Sequence, residues 1–193
     1  MNRPRWYCLA CNASTYKPGW EWPEAVDMPA AELLLDSMTP MERTGAESLI
    51  TPSTRTGEQG LLNGLLRIVS DGGDPIQDAY FIDIESSVKF AGPPREYLGC
   101  LTAARGKTRG WWVTNRGRRL SLAEIFRFQG FNLNDFSTKG IRQSDLGHMA
   151  GNAMSTNVIE RLLSRALYHA SLTTAYVADP WENPTGAIQN RFG

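Results

Sequence analysis

The sequence predicts an α+β fold, with a small β-rich lobe of irregular loops followed by helices. Three observations predict it. Short apolar runs separated by turn residues fill the middle of the chain, a capping-box pattern begins at Ser121, and an apolar stripe of helical period begins after Asn157. With 193 residues, 41% of them hydrophobic, the chain can form one domain with a modest core or two small lobes.

The residue pattern of the N-terminal part predicts a strand and two helices. Residues 5–11 are apolar enough for a buried strand, and residues 30–38 predict a short helix. Residues 39–60 are rich in Pro, Gly, Ser and Thr, which predicts a loop. Residues 61–69 predict an apolar helix, which the turn-forming run at 71–75 would end.

The middle of the chain predicts the β-rich lobe. Strands are expected at residues 79–85, 100–102 and 110–114, where apolar and β-branched residues lie between Gly and Pro breaks. The last two of these strands would flank a basic turn.

The C-terminal part predicts two helices. Ser121 and Glu124 have capping-box spacing, and Gly130 would end that helix. Asn157 and Glu160 repeat the cap spacing ahead of a second helix. The apolar stripe of this second helix comprises Val158, Ile159, Leu162, Leu163, Ala166, Leu167 and Ala170. Such a stripe is expected to pack against another apolar surface.

Charge is unevenly distributed, although the formal net charge is zero. Between residues 95 and 127 eight cations stand against two acids, Glu96 and Glu124. Such a block is either a binding face or an ordinary solvated surface, and charge alone leaves both open. The cations are Arg95, Arg105, Lys107, Arg109, Arg116, Arg118, Arg119 and Arg127.

The cysteines and the apolar runs exclude several classes of protein. An odd number of cysteines, three, argues against a disulfide framework and for a reducing compartment. Cys8 and Cys11 form a single Cys-x-x-Cys pair, and without further ligands nearby we predict no metal site. Cys8 would point inward from the first strand. No apolar run reaches about 18 residues, so no membrane span is expected, and the N-terminus is not a signal peptide.

Three separated blocks carry a family resemblance. They are Arg3-Pro4-Arg5-Trp6-Tyr7, the run from Arg118 to Phe131 (RRLSLAEIFRFQGF), and the run from Gly151 to Ile159 (GNAMSTNVI). In this order they resemble the Gln-x-Arg-x-Arg, Arg-x-Leu-Ser-x-x-Glu-x-x-Arg-x-Gln-Gly-Phe and Gly-Asn-Ala blocks of cytosine-5 DNA methyltransferases. A softer match is Cys100-Leu101-Thr102-Ala103. Met1 stands where the family has its Gln, and Asn132 where it has a Pro.

The resemblance implies a division of the chain. Residues 1–27 would be a strand and connection, and 28–117 the target-recognition lobe. Residues 118–170 would hold the last conserved motifs, and 171–193 would be a loop-like tail. The first strand and the last helix would belong to an incomplete Rossmann-like domain that uses S-adenosylmethionine.

The resemblance also implies roles for residues. The family adds a thiolate to C6 of a flipped cytosine and methylates C5 from S-adenosylmethionine. Arg5 would donate to cytosine O2, where negative charge develops, and Arg3 would orient that pocket. Gly151, Asn152 and Ala153 would lie at the cofactor, with Gly151 giving backbone access or serving a helix-entry turn. Thr102 would hold a phosphate. Further contacts to double-stranded DNA would come from Arg105, Lys107, Arg109 and Arg118, and Arg118 with Glu124 would also organise the lobe.

Other signatures of the family are missing from these 193 residues. None of Cys8, Cys11 and Cys100 follows a proline, as the family's nucleophile does, and there is no Glu-Asn-Val or Phe-x-Gly-x-Gly segment. We therefore expect a C-terminal portion that is inactive alone, completed by an N-terminal catalytic portion in cis or as a separate chain. The alternatives are a non-catalytic DNA-binding module and a globular protein of unrelated function. The expected location is intracellular and DNA-associated, in a nucleus or nucleoid.

Overall fold

The computed structural model describes residues 7–27, 29–38, 52–86, 95 and 97–193. In these ranges the chain is mixed α and β, as the sequence predicts. The helices are α1 (Arg55–Ser70), α2 (Ala103–Thr108), α3 (Leu122–Phe128), α4 (Gln143–Asn152), α5 (Thr156–His169) and α6 (Pro184–Phe192). The strands are β1 (Phe81–Asp83), β2 (Trp111–Val113) and β3 (Arg118–Arg119), and 3₁₀ helices span Ala31–Leu34, Thr114–Arg116 and Leu133–Asp135.

The three strands form one antiparallel sheet in the order β1-β2-β3. Phe81 pairs with Val113 and Ile82 with Trp112, so neighbouring pairs point to opposite faces. Phe81 and Val113 face the larger core, whereas Ile82 and Trp112 face α1. Gly64 lets α1 approach, because an added Cβ there would lie 2.8 Å from the Ile82 side chain. The sheet is therefore buried on both faces.

The larger core joins the sheet to α3, α4 and α6. Each fully buried Leu, Ile or Phe contributes about 1.5–3 kcal/mol of hydrophobic stabilisation. The core members with no exposed surface are Phe81, Leu98, Leu101, Val113, Leu120 and Ile125. Since these residues come from β1, β2, α3 and the segments beside them, the small sheet packs against the second family-like block, Arg118–Phe131.

Several predicted elements are confirmed, with changed boundaries. The helix expected at 30–38 is the 3₁₀ helix Ala31–Leu34. The helix expected at 61–69 begins earlier, at Arg55, because the Thr54 side chain accepts from the Gly57 amide at 3.2 Å and caps it. The loop prediction for 39–60 was therefore wrong from residue 55 onward, and residues 39–51 lie outside the described ranges.

Other predictions were wrong for identifiable reasons. Residues 7–11 form no strand, and Cys8 is exposed rather than inward-facing. Residues 100–102 form no strand, because Thr102 caps α2 instead. The predicted C-terminal loop contains α6, which begins at Pro184 behind an Asn183 cap.

The second C-terminal helix begins earlier than the cap spacing suggested. It starts at Thr156, so Asn157 is not its cap. Ser155 occupies the cap position but makes no side-chain cap hydrogen bond, and its hydroxyl donates to Gln129 Oε1. In the ranges that the structure describes, no helix is long and apolar enough to cross a membrane.

Candidate functional site

Helices α2 and α4 pack with their backbones in direct contact. An added Cβ at Gly106 would lie 2.9 Å from the carbonyl carbon of Gly147, and one at Gly147 would lie 2.7 Å from that of Gly106. An added Cβ at Gly151 would lie 2.5 Å from Ala103 Cα. Because no side chain larger than hydrogen fits at these glycines, the α2–α4 pair has a single close register. This register places Thr102 beside the C-terminal end of α4.

Thr102 is exposed at the start of α2. Its Oγ1 accepts from the Arg105 amide at 3.3 Å, which leaves the hydroxyl hydrogen available for an acceptor outside the protein. A phosphate oxygen is such an acceptor. The predicted phosphate contact is thus exposed, and its role toward DNA stays a prediction.

The Gly151–Ala153 segment differs from the expected turn. Gly151 and Asn152 form the end of α4, and Ala153 is its C-cap. Gly151 is buried against Thr102 and Ala103, so helix packing requires glycine there. It lies within α4 and not in a helix-entry turn, and its predicted place at the cofactor stays a prediction. Asn152 is exposed, and Ala153 is partly exposed. Of the predicted cofactor residues, these two face outward.

Gln129 joins the second family-like block to the third, a role that sequence reasoning missed. The side chain is fully buried, its Nε2 donates to the Ala150 carbonyl at 2.9 Å, and its Oε1 accepts from the Ser155 hydroxyl at 3.0 Å. The Gln129 carbonyl also accepts from the Thr156 amide at 2.8 Å. Its presence in the family-like Arg-x-Gln-Gly-Phe run was the available signal.

Arg118 and Glu124 form the buried centre of the second block. The guanidinium donates to both carboxylate oxygens at 2.9 Å, and Glu124 has no exposed surface. Glu124 also accepts from the amides of Ser121 at 2.6 Å and Asp36 at 2.8 Å, which completes the predicted capping box. This geometry fits the organising role, and a DNA contact by Arg118 stays a prediction.

Asp36 extends the same network to the segment after the first 3₁₀ helix. Arg127 donates to Asp36 Oδ1 at 2.5 Å and to the Leu34 carbonyl at 2.9 Å, and the Ser121 hydroxyl donates to Asp36 Oδ2 at 3.0 Å. Partial burial acts to raise the pKa of Asp36. The hydrogen bonds and charge of Arg127, with Ser121 and Arg118, outweigh it and lower the pKa below 3.8.

The basic block is largely neutralised by acids from elsewhere in the chain. Arg105 pairs with Asp83 at 2.8 Å, for example, and its Nη1 reaches Glu85 at 3.4 Å. Lys107 and Arg109, at the C-terminal end of α2, are exposed and form no ion pair within the described ranges. The remaining pairs are Arg95–Asp78, Arg116–Glu32, Arg118–Glu124, Arg119–Glu85 and Arg127–Asp36.

An apolar groove runs along α5, the helix predicted to need a partner. Leu163 is 45% exposed and Trp22 is 53% exposed, while Ala166 is buried. The segment before residue 25 is held on α5 by bonds such as Arg161 Nη2 to the Glu24 carbonyl at 2.8 Å. The residues lining this α5 groove include Tyr7, Leu9, Trp20, Trp22, Ile159, Leu162 and Leu163.

Arg3 and Arg5 lie outside the described residues, so the structure places neither. Within the described ranges, no group of three or more His, Cys, Asp or Glu side chains could hold a metal ion. The candidate site therefore consists of Thr102, Lys107 and Arg109 on α2, with Asn152 and Ala153 at the end of α4.

Comparison with known protein families identifies the chain. The family model of the C-5 cytosine-specific DNA methylases matches residues 46–167, which is more than half of the sequence. The chain belongs to this family. The matched range contains α2, the second and third conserved blocks, and most of α5. A search of curated proteins found no match.

Proposed function

We propose that the chain is the C-terminal, DNA-engaging portion of a DNA (cytosine-5-)-methyltransferase. One observation carries the proposal: the α2–α4 pair holds Thr102, a predicted phosphate contact, against Gly151, next to the predicted cofactor residues Asn152 and Ala153. A target-recognition lobe must bring DNA and methyl donor into one fixed geometry, since small misplacements of reacting groups are costly. Backbone contact between two glycine-bearing helices supplies such a fixed geometry.

The residues present fit a role beside S-adenosylmethionine, which supplies the methyl group when it is bound. Asn152 is exposed, and its side-chain amide makes no hydrogen bond to the part of the chain that the structure describes. Asn152 and Ala153 would contact the cofactor, with Gly151 beside them, which also seats α4 on α2. Arg5 would donate to O2 of the flipped cytosine and Arg3 would orient that pocket, as the resemblance implies.

The DNA contacts are divided by the ion pairs. Lys107 on α2 and Arg109 at its C-cap form no ion pair within the described ranges, so we propose that they and the N-cap residue Thr102 contact backbone phosphates. Arg105 forms an ion pair with Asp83, and Arg118 forms one with Glu124. We propose that these two arginines stabilise the recognition lobe and do not contact DNA. Double-stranded DNA is the proposed partner, and the place of action is DNA-associated, in a nucleus or nucleoid.

The α5 groove supports a portion of an enzyme over a stand-alone DNA-binding module. A stand-alone module would leave Leu163 and Trp22 largely in water. The sequence has no cysteine after a proline to act as nucleophile. We propose that the N-terminal catalytic portion, in cis or as a separate chain, docks in the groove and supplies that nucleophile. The 193 residues alone would then be inactive.

Methyl transfer from labelled S-adenosylmethionine to DNA tests this function. We expect no transfer by the 193 residues alone and transfer once the catalytic portion is joined or mixed. Leu163→Asp, in the groove, should abolish the restored transfer. The matched control is Leu172→Asp, because Leu172 is 72% exposed and lies outside the groove. Transfer by the 193 residues alone, or equal transfer by the two variants, would refute the proposal.

A further inference from the structure

We infer that Gln129 is a positioning residue for the methyl donor: it fixes the segment from Gly151 to Met154 and so sets the affinity for S-adenosylmethionine without touching it. The inference rests on the cofactor role proposed above for Asn152. It assigns Gln129 to the cofactor segment, although Gln129 belongs by sequence to the block that organises the recognition lobe.

Gln129 binds both ends of that segment. Its Nε2 donates to the carbonyl of Ala150, in the last turn of α4, where carbonyls lack full intrahelical pairing. Its Oε1 accepts from the hydroxyl of Ser155, the N-cap of α5. One side chain therefore hydrogen-bonds to the residues on both sides of residues 151–154, namely Ala150 and Ser155.

The backbone beside Gln129 adds a third anchor. The Gln129 carbonyl accepts from the Thr156 amide at 2.8 Å. Gly130 follows with φ +83°, and an added Cβ there would lie 3.1 Å from the Asn157 amide nitrogen. The positive φ favours glycine at this position, and a Cβ there would crowd the start of α5.

The site needs an amide and not merely a side chain of this size. One atom must donate and the other must accept, and neither contacts water because Gln129 has no exposed surface. A methionine would fill the volume but leave the two anchors unmade. An ionised carboxylate would place negative charge against the Ala150 carbonyl, whereas a protonated carboxyl could still donate there and accept from Ser155.

Amide hydrogen exchange in the 193-residue chain tests the anchor directly. Gln129→Met should lower the protection factors of the Ala153 and Thr156 amides roughly tenfold or more, because buried partners lose their hydrogen bonds. The control is Gln143→Met, because Gln143 is exposed at the start of α4. Unchanged protection in Gln129→Met relative to this control would overturn the inference.

Gln129→Glu separates anchoring from space filling by its pH dependence. Burial raises the pKa of an introduced carboxyl, so its neutral form persists above the ordinary range of about 4.3. Protection of residues 153–156 should be near that of the unaltered chain at about pH 5 and lost by about pH 8, as the proton leaves. A pH-independent protection factor, as expected for Gln143→Glu, would overturn the anchoring role.

The consequence for the methyl donor is measured in the enzyme completed by the catalytic portion. Gln129→Met should raise KM for S-adenosylmethionine about tenfold, with a smaller change in kcat. Asn152→Ala is the benchmark. If Asn152→Ala raises KM and Gln129→Met does not, the inference fails while the proposed function stands. If Asn152→Ala leaves KM unchanged, the proposed cofactor role fails, and with it the claim about affinity.

Discussion

The α2–α4 pair and the α5 groove are two helical regions that differ in how completely their contact surfaces are buried. In the first, glycines bring backbones into contact, and the adjoining α3 carries buried polar groups that have partners, Glu124 and its C-cap residue Gln129. In the second, Leu163 and Trp22 are about half exposed. The surfaces that α2 and α4 bury are covered by residues of this chain. The α5 groove is instead an exposed apolar surface, which is typical of an interface with a partner. Substitutions should therefore be costly in the first region and nearly silent in the second when the chain is alone.

The largest effect is expected at the buried carboxylate of the second block. Glu124→Gln should lower the free energy of unfolding by about 3–5 kcal/mol, because it removes the buried carboxylate that pairs with the Arg118 guanidinium. Glu182→Gln is the control and should change stability by less than about 0.5 kcal/mol, since Glu182 is exposed. Urea denaturation measures both, and equal midpoints would break the contrast between buried network and surface.

The next effect compares one substitution in the two regions. Leu146 on α4 is 7% exposed and Leu163 on α5 is 45% exposed. Leu146→Ala should cost about 2–4 kcal/mol through lost burial and a cavity, whereas Leu163→Ala should cost less than about 1 kcal/mol in the chain alone. Once the catalytic portion is bound, the Leu163 cost should rise. Equal losses in the chain alone would show that the groove is already covered.

The smallest effect is the pH dependence that Asp36 contributes. Because its folded-state pKa lies below 3.8, its stabilisation is present above the unfolded pKa and is lost as pH falls from there through the folded pKa. The difference in unfolding free energy between the unaltered chain and Asp36→Asn should therefore be larger at about pH 6 than at about pH 2.5. A difference that grows on acidification would contradict the direction of the pKa shift.

Local sequence signals predicted the α2–α4 pair and the adjoining α3 only in part. The capping box at Ser121 and Glu124 follows from neighbouring residues and is confirmed. The sequence of the basic block could not predict which acids neutralise it, because the ion-pair partners are distant along the chain. Arg116 and Glu32, for example, lie 84 positions apart. Lys107 and Arg109 were therefore indistinguishable from their paired neighbours.

Glycine misled the sequence reading at α4. The run from Gln143 to Asn152 holds few apolar residues, so its periodicity is weak, and Gly151 suggested a turn. Besides the core residues Leu146 and Ala150, its burial comes from backbone contact with α2, which leaves no apolar signature. The helix propensity penalty of glycine was overridden by tertiary packing.

The most direct test of the central claim is the salt dependence of DNA affinity, measured by anisotropy with labelled duplex. The Lys107→Ala/Arg109→Ala double variant should reduce the slope of log K against log salt by about 2, since each phosphate contact contributes roughly 0.9. Arg67→Ala, which removes an exposed cation on α1, should leave the slope unchanged. An unaltered slope in the double variant, or an equal drop in the control, would contradict the claim that α2 faces the DNA.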